Sequence, residues 1–186
     1  INIISVPLLP TRCLKEYFFS SIFNKQNSYY FIICDRDFDK LVIVKAKKKS
    51  FNIENFYEYK FNRFFEPIGL EFLLSGDMGL NIYVTSRKNK ELIHLFFNFK
   101  NFKVINKINL PFQTRSQISI GNISNEKFLA IGLWGGEITN FDSHNGYLQI
   151  FKLDRSFNII LNESHLIPSG TNTTDVIFFD FDSDGD

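Results

Sequence analysis

The 186-residue chain carries 21 Lys and Arg against 20 Asp and Glu, a net charge of +1 that gives no electrostatic footprint for nucleic acid or an acidic membrane surface. Its 44% hydrophobic and 22% charged content is that of a globular protein, and no apolar run approaches the roughly eighteen residues of a membrane-crossing helix. Two cysteines, Cys13 and Cys34, exclude a disulfide framework and leave one bridge or two buried thiols as alternatives.

In chain order, Leu14 to Phe23 is the one stretch that has any helical period. After the polar segment Ser21-Ile22-Phe23-Asn24-Lys25, the runs Tyr30-Phe31-Ile32-Ile33 and Leu41-Val42-Ile43-Val44 are short, β-branched and aromatic, and read as strands. Lys45, Lys47, Lys48 and Lys49 then cluster, as expected of a solvated strand end or hairpin tip, before Ser50-Phe51-Asn52-Ile53. The same order returns: the segment Leu73 to Asp77, Ile82-Tyr83-Val84-Thr85, Ile93-His94-Leu95-Phe96-Phe97 and Asn101-Phe102-Lys103-Val104. It returns once more as Asn122-Ile123-Ser124-Asn125-Glu126, Leu129-Ala130-Ile131-Gly132, Leu148-Gln149-Ile150-Phe151 and Ser156-Phe157-Asn158-Ile159. Phe51, Phe102 and Phe157 are expected at equivalent places.

Four short strands per fifty or so residues is the arithmetic of a β-propeller blade. The expected fold is therefore all-β, a propeller of four-stranded antiparallel blades, with residues 1–186 forming part of one domain. Its units run approximately over 16–60, 66–112, 115–167 and an incomplete 174–186. Three units and a fragment would leave exposed edge strands, so the chain is expected not to close a ring by itself. Ile1 in place of a methionine points to processing, excision or an incomplete sequence. The longest variable loop, Gly135 to Gly146, has turn chemistry and a place suited to recognition. Trp134, before it, is expected to pack between blades.

The last seven residues, Asp180-Phe181-Asp182-Ser183-Asp184-Gly185-Asp186, follow the apolar run Val176-Ile177-Phe178-Phe179. Alternate carboxylates turned to one side, with a glycine that permits the bend, make a loop suited to a hard cation such as Ca²⁺. An EF-hand shares this spacing, but needs a helix before the loop. The stretch Pro168 to Asp186, and more faintly Ser119 to Gly132, resembles the FG-GAP (VCBS-type) repeat: an apolar strand, D-x-[DN]-x-D-G-x-x-D, and an apolar strand ending in Gly. That resemblance implies a β-propeller, usually seven-bladed, found in integrin α-chains and many secreted or surface proteins, with Ca²⁺ in its best-kept loops. Carried over by position, Asp180, Asp182 and Asp184 would be side-chain ligands and Asp186 would contribute its backbone carbonyl. The family's next acidic ligand falls two residues past Asp186. The loop at 122 offers Asn122, Ser124 and Glu126 at ligand positions but Lys127 where the family has Gly, and reads as degenerate. The loops at 73 and 21 lack the pattern.

His94, His144 and His165 have no metal-ligand spacing, and no nucleophile elbow, P-loop or dinucleotide fingerprint is present, so no residue is assigned as catalytic. His94 is expected to point outward or be satisfied locally. Asn122, Asn162 and Asn172 each head an N-x-S/T sequence that could carry a glycan in a eukaryotic secreted protein. The expected function is a non-catalytic, Ca²⁺-stabilised binding module for a protein or glycan, or for neighbouring chains of an assembly, located outside the cell, in the periplasm or on the cell surface. The alternative is an intracellular WD40-like scaffold propeller. A propeller enzyme comes a distant third.

Overall fold

A computed structural model describes residues 13–18, 28–50, 52–135, 145–170 and 176–178. The described residues form twelve strands and one short 3₁₀ turn at Gly76–Met78, with no α-helix. The strands are β1 (Cys13–Phe18), β2 (Ser28–Asp35), β3 (Lys40–Lys47), β4 (Ile53–Lys60), β5 (Pro67–Leu74), β6 (Leu80–Ser86), β7 (Glu91–Phe97), β8 (Phe102–Asn109), β9 (Gln113–Ile123), β10 (Glu126–Gly135), β11 (Asn145–Leu153) and β12 (Ile159–Pro168). Three four-stranded sheets contain them in sequence order, β1-β2-β3-β4, β5-β6-β7-β8 and β9-β10-β11-β12, and every recorded pairing is antiparallel. Where the sequence has its one stretch of helical period, Leu14 to Phe23, residues 13–18 form a strand paired with β2, and 19–23 lie outside the described residues. A neighbouring strand that satisfies a whole row of backbone groups outweighs so weak a helical signal.

The chain divides into two compact units, Ile1–Pro67 and Ile68–Asp186. In the first, Phe31, Ile33, Val42, Val44 and Ile53 form one apolar cluster, and the alternating set Tyr30, Ile32, Cys34, Leu41 and Ile43 is also buried. Burial on both faces explains why these runs are almost purely apolar instead of alternating. In the second unit, two sheets pack face to face. Tyr83 and Leu92 of β6 and β7 meet Ile118, Leu129, Ile131, Leu133, Phe151 and Leu153 of β9 to β11. Gly69 in β5 lies so close to this seam that an added Cβ would stand 2.8 Å from the Ser116 carbonyl oxygen. At the register shift between Ile131 and Leu133, Gly132 drops out of the β9–β10 ladder. Its N–H donates to Ser116 Oγ at 2.9 Å, and its carbonyl accepts from Ser116 and Thr114 hydroxyls at 3.0 and 2.9 Å. Buried backbone groups are thereby satisfied where the ladder fails.

One local grammar recurs from sheet to sheet. β3 and β7 open with the same burial sequence, four buried residues between two half-buried ones and then a buried one, and β4 and β8 share an identical one in which only the first, fifth and seventh residues are half-buried. The turn between the second and third strands is capped by Asp35, whose Oδ1 accepts from the Asp37 and Phe38 N–H groups, and by Ser86, whose Oγ accepts from Asn89 N–H. Each of these turns ends on a left-handed residue, Asp39 (φ 50°) or Lys90 (φ 49°), whose carbonyl accepts from the residue just after the fourth strand, Phe61 or Leu110. The third-to-fourth turn is built on Asn98 and Asp154, whose Oδ1 atoms accept from Lys100 and Asn101 and from Ser156 and Asn158. In all three sheets the register shifts in this third-to-fourth pairing.

That grammar corrects the phenylalanine alignment. Phe102 is the first residue of β8 and pairs with Phe97, whereas Phe157 sits within its turn at φ 66°. The two stand in corresponding hairpins, β7–β8 and β11–β12, but not at corresponding positions, and Phe51 lies outside the described residues. The lysines at 47–49 stand at the β3–β4 end as expected, and Lys45 Nζ pairs with Glu54 at 3.1 Å.

Candidate functional site

Asp180, Asp182, Asp184 and Asp186 lie outside the described residues, as do most of the 135–146 loop and His144. What precedes the Asp run is described. Val176, Ile177 and Phe178 have no regular secondary structure, and Phe178 N–H donates to Ser119 Oγ of β9 at 3.0 Å. The Phe178 ring covers Gly121 so closely that a Cβ there would collide with it. The segment leading to the Asp run is therefore held on the face of the third sheet that carries Ser119 and Gly121. Among the described residues no group of three or more His, Cys, Asp or Glu side chains is placed to hold a metal ion, and the expected cation loop, 180–186, lies outside them.

The three earlier loops can be compared with that run. Residues 122–126 form a tight hairpin: Ile123 pairs with Glu126, and Ser124 and Asn125 both take left-handed conformations, φ 49° and 66°. Two successive left-handed residues are the signature of a type I′ turn, whose hand matches the strand twist. The Lys127 ammonium donates to Asn122 Oδ1 at 2.8 Å, so a side-chain cation already engages the first oxygen of the ligand pattern. The Ser75–Gly79 loop is closed by backbone bonds, Ser75 N–H to the Gly79 carbonyl and Met78 N–H to the Ser75 carbonyl. Residues 21–25 lie outside the described residues.

At the end of the third sheet that carries the 122–126 hairpin is a cleft of about 520 Å³ bounded by the β9–β10 and β11–β12 turns, with Glu126, Lys152, Asp154, Arg155 and Phe157 on its walls. Lys152 Nζ bridges Glu126 at 2.7 Å and Glu163 at 3.0 Å, and these two carboxylates hold the ammonium above its usual range. Burial works against ionisation of Asp154, yet hydrogen bonds from Asn158 and Ser156 hold its carboxyl below the usual value. Lys152 and Glu126 are thus committed to each other, and Asp154 to its turn.

Beneath it lies a polar network that the sequence hid. Of the two expectations for His94, the local one holds at Nε2: the ring is wholly buried, its Nε2 is 2.8 Å from Asn81 Oδ1, and Tyr83 stacks on it with ring centroids 4.6 Å apart. The Tyr83 hydroxyl donates to the Phe157 carbonyl, tying the second sheet to the β11–β12 turn. Burial lowers the His94 pKa to about 4, against a smaller opposing attraction from Asp154. His94 Nδ1 has no hydrogen-bond partner among the described residues. Register is what assembles this group, since Tyr83 and His94 are cross-strand neighbours.

At the other end of the sheet, Trp134 is half-buried, and the Arg115 guanidinium lies 4.2 Å from the centre of its ring. Phe112 and Tyr147 stack nearby at 4.5 Å. His165 is exposed on β12, where its carbonyl accepts from Gln149 Nε2 at 3.1 Å. Asn122 and Asn162 are both exposed, and Asn172 lies outside the described residues. No helix among the described residues is long and apolar enough to cross a membrane. No protein-family model matches the chain, and no curated protein matches it.

Proposed function

We propose that this chain is part of an FG-GAP-like β-propeller that serves as a non-catalytic binding module, rigidified by Ca²⁺ in the Asp180–Asp186 loop and working outside the cell, in the periplasm or at the cell surface. The observation that carries the reading is the return, in three successive sheets, of a four-stranded antiparallel meander with a register shift in its third-to-fourth pairing, followed by Phe178 packed on the third. Successive four-stranded sheets that keep one strand order are what a blade array requires. In this reading Asp180, Asp182 and Asp184 supply carboxylates to the ion and Asp186 a carbonyl. Millimolar Ca²⁺ outside the cell fills sites too weak for the cytosol, which favours the surface reading over an intracellular scaffold. The partner, a protein or a glycan, would be met at the 135–146 loop, whose base presents Trp134 beneath Arg115.

Three carboxylates in one loop repel one another without a cation, so Ca²⁺ should raise the melting temperature. If millimolar Ca²⁺ meets a Kd tenfold lower, the gain is about 1.4 kcal/mol. The test is melting in millimolar Ca²⁺ and in chelator. Asp182→Ala should remove most of the response and Glu126→Ala none of it. Identical curves in the two conditions would leave the loop an acidic turn and withdraw the argument for an extracellular home. Because Trp134 is the only tryptophan, glycan or protein ligands bound at this end should shift its fluorescence.

A further inference from the structure

Cys13 opens β1, the edge strand of the first sheet, and is the Cα partner of Cys34 in the β1–β2 ladder. Directly opposed residues of an antiparallel pair stand about 4.5–5.5 Å apart between Cα atoms and share one face of the sheet. A disulfide spans Cα separations of roughly 4.4–6.8 Å, so every directly opposed pair falls within its reach. Of the six β1–β2 pairs from Cys13↔Cys34 to Phe18↔Tyr29, this one brings the chain's two cysteines together. A shift of one residue in either strand would set them on opposite faces.

We propose that Cys13 and Cys34 close a cross-strand disulfide under oxidising conditions, a covalent latch that holds the edge strand on its sheet. The site rests on one register pair and is independent of the propeller reading. With oxidised glutathione as oxidant, one cysteine thiolate attacks a glutathione sulfur and expels the other glutathione as thiolate. The second cysteine thiolate then attacks the protein sulfur of that mixed disulfide and expels the remaining glutathione. Two cysteine protons are released and two electrons pass to the glutathione pair for each bridge formed. The ring so closed includes residues 14–33, and a link of that length restricts the opened chain enough to slow local opening of β1 on the order of a hundredfold. A latch of this kind suits an oxidising compartment.

The native chain is incubated with excess oxidised glutathione, quenched with acid, unfolded, alkylated with iodoacetamide and weighed. The expected product is lighter by two hydrogens, takes up alkylating reagent only after reduction, and yields on proteolysis a peptide pair joining Cys13 to Cys34. Amide exchange in β1 should slow on the order of a hundredfold relative to the reduced chain. Cys34→Ser should lose the bridge. A register control keeps buried Cys34 intact: Cys13→Ser combined with Leu14→Cys moves the thiol opposite Ile33, and bridging should fall by on the order of a hundredfold. Alkylated thiols or glutathione adducts at both cysteines of the native chain would overturn the proposal. So would a register variant that bridges as fast as the native chain.

Discussion

Acidification should destabilise the second unit through His94, well before the carboxylates titrate. The imidazole is wholly buried against Tyr83 and Asn81, and burial lowers its pKa to about 4. An unfolded histidine titrates near pH 6.5, so the unfolded chain binds the proton first as the pH falls. The stability held by neutral His94 is complete above about pH 6.5 and drains away as the pH drops towards 4. Linkage through these two values gives a loss of about 2 kcal/mol between pH 7.5 and 5, rising to about 3 kcal/mol below pH 4. Asp154, whose pKa is lowered in the fold, contributes stability that is lost only as the pH falls below the normal carboxylate range, outside this window. The assay is urea unfolding of the native chain and of His94→Gln at pH 7.5, 6.5, 5.5 and 5.0. Glutamine retains a polar group for Asn81 but does not titrate. The native chain should lose stability progressively over this series and the variant should stay nearly flat. Equal losses in the two proteins would refute the assignment of the acid response to this buried ring.

Two further outcomes follow from the same seam and its neighbouring loop. Tyr83→Phe removes the hydroxyl that donates to the Phe157 carbonyl and should cost about 1–1.5 kcal/mol in chemical denaturation, with amide exchange increased in the β11–β12 turn; an unchanged midpoint would mean that water replaces the bond without loss. Gly79→Ala places a Cβ against the Phe97 carbonyl at a left-handed φ of 153°, and should cost about 2–3 kcal/mol, read as a lower melting temperature; a neutral result would show that the Ser75–Gly79 loop can relax.

The sequence by itself determined the strands and their order. Six of its apolar runs, from Tyr30–Ile33 to Leu148–Phe151, fall inside β2, β3, β6, β7, β10 and β11, because β-branched and aromatic residues buried on both faces leave a dense local signal. The turn caps Asp35, Ser86, Asn98 and Asp154 act just as locally, but the strand pattern did not single them out. The Asp180–Asp186 run was legible as a pattern of ligands, and lies outside the described residues. Tertiary structure alone decided what depends on pairing and packing. His94 read as a polar residue on a strand, and became a buried partner of Asn81 and Tyr83 only once β6 and β7 were in register and the third sheet covered them. The middle phenylalanine slipped from a turn into a strand because the Asn98–Asn101 turn is one residue shorter than the Asp154–Asn158 turn, a difference that sequence similarity between the two segments conceals. Whether Cys13 meets Cys34 was left open between one bridge and two buried thiols, because pairing register is set by the whole ladder and the faces it buries, whereas each cysteine taken alone carries no record of its partner.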